Sequence, residues 1–179
     1  GKTTSCVNIS AQIANKGKKV LMIDMDPQGN ATSGLGLQKS KIKNTIYDVI
    51  IGRCDISEAI IKTKFKNLSV IPANIALAGA EIELQELNEE LKFIELGLDS
   101  IKDDYDYIFI DCHPGGDLFA INALTASDSV ILPVEAHILS TDGLDQVEKM
   151  IKTVKKHLNP TLEIEGVIVT KFQGRTNYC

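Results

Sequence analysis

Two short apolar runs, each ending on aspartate, constrain this chain most. Val20-Leu21-Met22-Ile23 leads into Asp24-Met25-Asp26-Pro27, and Tyr107-Ile108-Phe109-Ile110 leads into Asp111. A short continuous apolar run bounded by turn residues reads as a strand buried on both faces, as in a parallel sheet covered by helices. Helical periodicity covers 3–15, with Gly17 as its stop, and short helices are expected over 45–52 and 55–61. Residues 76–101 read as mostly helical with Gly97 as a break, and 118–125 and 140–158 as helices, the last ended by Asn159-Pro160. Further strands are expected over 67–71, 129–134 and 162–170. Alternating β and α segments predict an α/β fold: a mostly parallel, doubly wound sheet with helices on both faces, in a single domain spanning 1–179.

Composition narrows the function classes. Of 179 residues, 44% are hydrophobic and 24% charged, ordinary for a globular domain. No apolar run approaches the roughly 18 residues that span a membrane. The formal charge of -5 gives no bulk signal for nucleic acid. Cys6, Cys54, Cys112 and Cys179 are scattered without a C-x-x-C pair, a pattern of reduced thiols rather than disulfides or zinc.

In open α/β sheets ligands bind beyond the C-terminal ends of the strands. Asp24 and Asp26 lie two apart and can face one site. Paired carboxylates repel unless a cation or proton lies between them, and a metal-bound water meets that demand. Asp111, closing its apolar run, has the form of a Walker B aspartate that holds Mg²⁺ through water. The chain opens with Gly1-Lys2-Thr3-Thr4, which reads as the last four positions of a P-loop at a helix N-terminus, where N–H groups and the dipole favour phosphate. Lys2 can reach the β- and γ-phosphates and the Thr3 hydroxyl can ligate Mg²⁺. The strand and most glycines of such a loop are absent from the sequence. The chain is therefore expected to be a partial P-loop NTPase domain that misses its first strand and continues beyond Cys179. Singly, each group has a plain alternative as a helix start, strand end or turn former.

Together, Gly1-Lys2-Thr3-Thr4, the stretch from Asp24 to Thr32 with Asp-Pro-Gln-Gly-Asn inside it, Asp111-Cys112-His113-Pro114, Ile121-Asn122-Ala123-Leu124 and Arg175-Thr176-Asn177 resemble the ParA/Soj chromosome- and plasmid-partitioning ATPases. The related MinD cell-division ATPases keep the two aspartates but not Pro-Gln-Gly-Asn. The resemblance implies ATP and Mg²⁺ as cofactors, an ATP-dependent homodimer, nonspecific DNA binding, and slow hydrolysis stimulated by a ParB-type centromere-binding partner, in the cytoplasm at the nucleoid and without a membrane. It implies Gly1, Lys2, Thr3 and Thr4 as nucleotide-binding, with Thr4 at the α-phosphate. It also implies Asp26 as the group that positions the attacking water, Asp24 in support of the Mg²⁺ shell, and Asp111 as Walker B. Lys2 and Asp26 are the expected catalytic pair. Residues 26–30 and 111–115 would be the two switches.

The family usually has Asp-x-Pro-Pro-Ser where this chain has Asp111-Cys112-His113-Pro114-Gly115, so backbone freedom is added beside the phosphate site. That keeps a non-hydrolysing ATP switch open as an alternative, beside a MinD-like membrane-associated ATPase. An iron–sulfur reductase is disfavoured by cysteine placement. The lysines at 39, 41 and 43, at 62, 64 and 66, and at 152, 155 and 156 could contact DNA, but solvated surfaces explain them as well. Without a strand beside 107–111, that strand would keep an unpaired edge, and the isolated chain is expected to be poorly stable and to hydrolyse ATP weakly or not at all.

Overall fold

The apolar run at 20–23 forms a strand buried on both faces. In the computed structural model, which describes residues 1–80, 83, 93–113, 118–135 and 141–171, strand β1 is Val20–Met25 and all six of its residues are buried. Its side chains alternate between two cores, as a period of two requires. Leu21, Ile23 and Met25 pack with Ile46, Tyr47, Ile50 and Phe119, while Val20 and Met22 pack with Ala14, Ala31, Leu35 and Val70. Each large aliphatic side chain buried this way stabilises the fold by about 1.5–3 kcal/mol.

Helix α1 (Lys2–Asn15) and the short α2 (Asn30–Gly34) cover the Val20/Met22 face. The opposite face is covered by α3 (Ile46–Ile50) and α4 (Phe93–Leu98). Strand β2 (Ile61–Lys62) pairs antiparallel with β3 (Leu68–Ile71), which runs parallel to β1. On the other side of β1 lies β4 (Tyr107–Cys112), also parallel, giving the order β2-β3-β1-β4. Helix α5 (Leu118–Thr125) leads to β5 (Ser129–Glu135), and α6 (Thr141–His157) to β6 (Glu163–Thr170). Strands β5 and β6 pair in parallel as a separate two-stranded sheet. Among the described residues, β4 bonds a strand on its β1 side. A third core, built on Leu124, Ile151, Val154 and Leu162, joins α5 and α6 to the start of β6.

Polar contacts pin the entrances to the strands. The Lys19 N–H donates to Asp106 Oδ2 at 2.7 Å and the Asp106 N–H donates to Lys19 O at 2.8 Å, which aligns the start of β1 with the start of β4. At the α5–β5 corner, Asn159 Nδ2 donates to the carbonyls of Leu124, Thr125 and Ser127.

Two local expectations change. The helix expected over 55–61 is a single 3-10 turn, Ile56–Ala59, followed by the edge strand β2. The Asp55/Glu58 capping box starts the turn, but Ile61 and Lys62 are drawn into pairing with Val70 and Ser69. Gly97 does not break its helix. It lies inside α4, where a Cβ would stand 3.3 Å from Ile56 Cδ1, so the glycine allows the helix to approach the 3-10 turn closely. Most of the helix expected over 76–101 lies outside the described residues, which show helix at 77–80, 83 and 93–98.

Candidate functional site

The register of β1 and β4 sets Asp24 directly beside Asp111. Neighbours in register on parallel strands face the same side, here the side of α1 and α2, because Met22 and Phe109 in the same register pack there. Helix α1 begins at Lys2 and presents Lys2, Thr3 and Thr4 in its first turn, with no side-chain cap over Gly1. The unpaired N–H groups of that turn carry the positive end of the helix dipole.

Asp111 is only 4% exposed, and its Oδ2 is buried without a hydrogen-bond partner. Burial first, then the charges of Asp24 and Asp26, raise its pKa from 3.8 to about 6, against the Thr3 hydroxyl and the Lys2 ammonium, which lower it. Lys2, Thr3, Asp24 and Asp26, read from separate stretches of sequence, thus all act on Asp111. A buried carboxylate oxygen without a partner, with two further carboxylates within electrostatic reach, is a donor set suited to a hard cation. Among the described residues no three His, Cys, Asp or Glu side chains converge into a metal cage.

Asp24 is fully buried and held by three donors. Thr32 N–H and Thr32 Oγ1 both donate to its Oδ2, at 2.8 and 2.7 Å, and the Asp26 N–H donates to its Oδ1 at 3.2 Å. Burial nevertheless raises its pKa above the ordinary aspartate value. The Thr32 hydroxyl also accepts the Ala73 N–H at 3.1 Å, so one side chain joins the end of β1, α2 and the segment after β3.

Asp26 ends the strand in a tight turn. Its Oδ1 accepts the Gln28 N–H at 2.8 Å and its carbonyl accepts the Gly29 N–H at 2.8 Å. Gly29 sits at φ 57°, left-handed, as the residue before α2. A Cβ there would stand 2.8 Å from both the Ala73 carbonyl and Lys39 Cε. Lys39 Nζ donates to the Gln28 carbonyl. Lys39, grouped by sequence with a basic stretch, is thus a neighbour of the Asp26 turn. Thr32 stood inside a recognised motif, yet nothing in the sequence assigned it a partner. Its small β-branched hydroxyl two residues past the turn was the only signal.

The remaining candidates fall elsewhere. Cys6 lies near Asp111 and Cys112, and burial, with their negative charge, pushes its thiol pKa up, which makes it an inert thiol rather than a nucleophile. Among the described residues, Cys6, Cys54 and Cys112 form no disulfide. Lys152 pairs with Glu148 on α6 at 2.6 Å, as a solvated helix face would have it. Of the second expected switch only 111–113 is described, and Arg175, Thr176 and Asn177 lie outside the described residues. No helix among the described residues is long and apolar enough to cross a membrane.

The comparison with known proteins bears on the family and the fold. A family model described as an AAA domain matches residues 1–164. The sporulation initiation inhibitor protein Soj of Bacillus subtilis (strain 168) is 48% identical over 178 residues, covering 99% of this chain and 70% of Soj. The chain belongs to the ParA/Soj family. The chromosome partitioning protein ParA of Myxococcus xanthus (strain DK1622) is 41% identical over 178 residues, 99% of this chain and 62% of that protein. The fold matches the crystal structure of cobyrinic acid a,c-diamide synthase from Mycobacterium smegmatis with bound ADP and magnesium at a TM-score of 0.92 and 33% identity, over 98% of this chain and 71% of that one. The P-loop NTPase reading of the α/β fold is therefore correct, and within this ParA/Soj-family chain the Asp24–Asp111 pair occupies the strand ends where that fold binds ligands.

Proposed function

We propose that the intact protein is a partition ATPase that binds Mg²⁺-ATP at the meeting point of α1, β1 and β4. The observation that carries this reading is the side-by-side register of Asp24 and Asp111 on the side that faces the α1 N-terminus with Lys2 and Thr3. Gly1 to Thr4 hold the phosphates through backbone N–H groups, with Lys2 at the β- and γ-phosphates and Thr4 at the α-phosphate. The Thr3 hydroxyl and Asp111 are the residues that would hold Mg²⁺. Asp24 supports them by fixing the strand end. When bound, Mg²⁺ neutralises charge on the phosphates. Asp26 accepts a hydrogen bond from the attacking water and aligns it, and Lys2 stabilises charge as it moves to the leaving oxygen.

Beyond the nucleotide site, the ATP-bound protein forms a homodimer, binds DNA without sequence preference and is stimulated by a ParB-type centromere-binding partner at the nucleoid. The names of the relatives support a partition role, and the ADP and magnesium held by the M. smegmatis structure support the nucleotide site. The Asp26-Pro27-Gln28-Gly29-Asn30 sequence favours partition over a MinD-like role.

The test is ATP turnover by the intact protein with and without nonspecific DNA, comparing wild type with Asp26→Ala. We expect DNA-responsive turnover that the substitution abolishes while Mg²⁺-ATP binding persists. Binding without turnover in wild type would replace this reading with that of a nucleotide switch that has lost its chemistry.

A further inference from the structure

Lys39 lies across the Asp26 turn, and nothing in the function proposed above uses it. Its Nζ donates to the Gln28 carbonyl. Its Cε and Nζ stand 2.8 and 3.1 Å from where a Gly29 Cβ would be, so the lysine arm crosses the turn directly above that glycine. The Ala73 carbonyl is also 2.8 Å from the same point. The turn is thus flanked by the Ala73 segment, which bonds the Thr32 hydroxyl that in turn donates to Asp24, and by the Lys39 side chain.

Gln28 is the link between that cation and the chemistry. Its carbonyl accepts from Lys39, and its N–H donates to Asp26 Oδ1 at 2.8 Å. Whatever fixes Gln28 therefore fixes the orientation of the Asp26 carboxylate. From this we propose that Lys39 is a positioning residue for Asp26, acting through Gln28. The inference rests on the reading of Asp26 as the group that aligns the attacking water. A charge-assisted hydrogen bond is stronger than a neutral one, so an ammonium on the Gln28 carbonyl restrains the turn more than solvent would. Lys39 comes from the 3-10 turn Lys39–Lys41, which is exposed, so its substitution leaves the core intact.

The experiment compares Lys39→Met, which keeps the length and loses the charge and donors, with Lys39→Arg, which keeps both. Two readouts are taken on the intact protein: amide exchange at Gln28 and Gly29, and steady-state ATP turnover. In Lys39→Met we expect faster exchange at both amides. We also expect kcat to fall about tenfold through misalignment of Asp26, with KM for Mg²⁺-ATP changed by no more than about twofold. Lys39→Arg should restore both. Unchanged exchange in Lys39→Met overturns the proposal whatever the turnover. A joint fall of kcat, nucleotide affinity and melting temperature also overturns it, since that is the signature of general loosening. Absence of turnover in wild type would refute the ATPase reading instead, and the exchange measurement would still decide whether Lys39 holds the turn.

Discussion

The Thr32 hydroxyl donates to Asp24 Oδ2 at 2.7 Å, and the Thr32 N–H reaches the same oxygen at 2.8 Å. A carboxylate with no exposure is thereby provided with donors by a residue eight positions further along the chain. Burial would otherwise drive Asp24 to hold a proton, and these donors oppose that shift. The same hydroxyl accepts from Ala73, so this pair decides where the turn at 26–30 sits against the sheet.

Thr32→Val keeps the shape and removes the hydroxyl, leaving Asp24 one donor short and the Ala73 N–H without its acceptor. Buried groups left unsatisfied cost about 1–3 kcal/mol each, so we expect a loss of that order in urea unfolding. Thr32→Ser should recover most of it. Equal midpoints for the Val and Ser variants would show that the hydroxyl contributes nothing.

Gly29 and Gly17 both have positive φ, at 57° and 92°, yet only Gly29 is crowded. Alanine at 17 meets open space and should cost about 1 kcal/mol from the backbone alone. Alanine at 29 would also collide with the Ala73 carbonyl, so a loss of up to about 3 kcal/mol is expected, together with weaker nucleotide-dependent function. Thermal unfolding of the two variants side by side decides it. A similar loss at both sites would mean that the turn yields freely.

Asp111→Asn should raise the stability of the metal-free protein while removing Mg²⁺-dependent ATP binding. The folded pKa of Asp111 is about 6 against an ordinary 3.8. Between those values the folded state keeps a proton that the unfolded state releases, so stability falls as pH rises. Above about 6 the buried charge is carried in full. Asparagine removes that penalty, a gain on the order of 1 kcal/mol at neutral pH and none near pH 3. A variant less stable than wild type at pH 7 would contradict this account of the site.

Asp106 works in the opposite sense. The Lys19 N–H, and after it the Lys18 charge, hold its pKa below 3.8. Its contribution is therefore present above that value and is lost as pH falls through the lowered folded value. Asp106→Asn should lower the neutral-pH melting temperature and flatten the acid limb of the stability profile. An unaltered acid limb would show that the Lys19 contact does not couple to folding.

The apolar runs at 20–23 and 107–110 were legible as strands because they are local and unbroken, and they lie in Val20–Met25 and Tyr107–Cys112. The helix was legible over 3–15 from periodicity and a glycine stop, and spans Lys2–Asn15. The turn into β2 was not, because Ile61 and Lys62 take their conformation from Val70 and Ser69 rather than from their own pattern. Lys39 looked like one of several surface lysines, since nothing in a lysine's neighbours in sequence says which carbonyl it will reach.

By itself, then, the sequence determined the alternation of strands and helices and the delivery of Asp24, Asp26 and Asp111 to strand ends. Hydrophobic burial at a given period acts over a few residues and is written locally. Only the tertiary structure decided that Asp24 lies level with Asp111, that the Thr32 hydroxyl donates to Asp24, and that Lys39 reaches the Gln28 carbonyl. Those relations depend on strand register and on how loops fold back over the sheet. A shift of one residue in β4 would preserve every local pattern nearby while turning Asp111 to the opposite face.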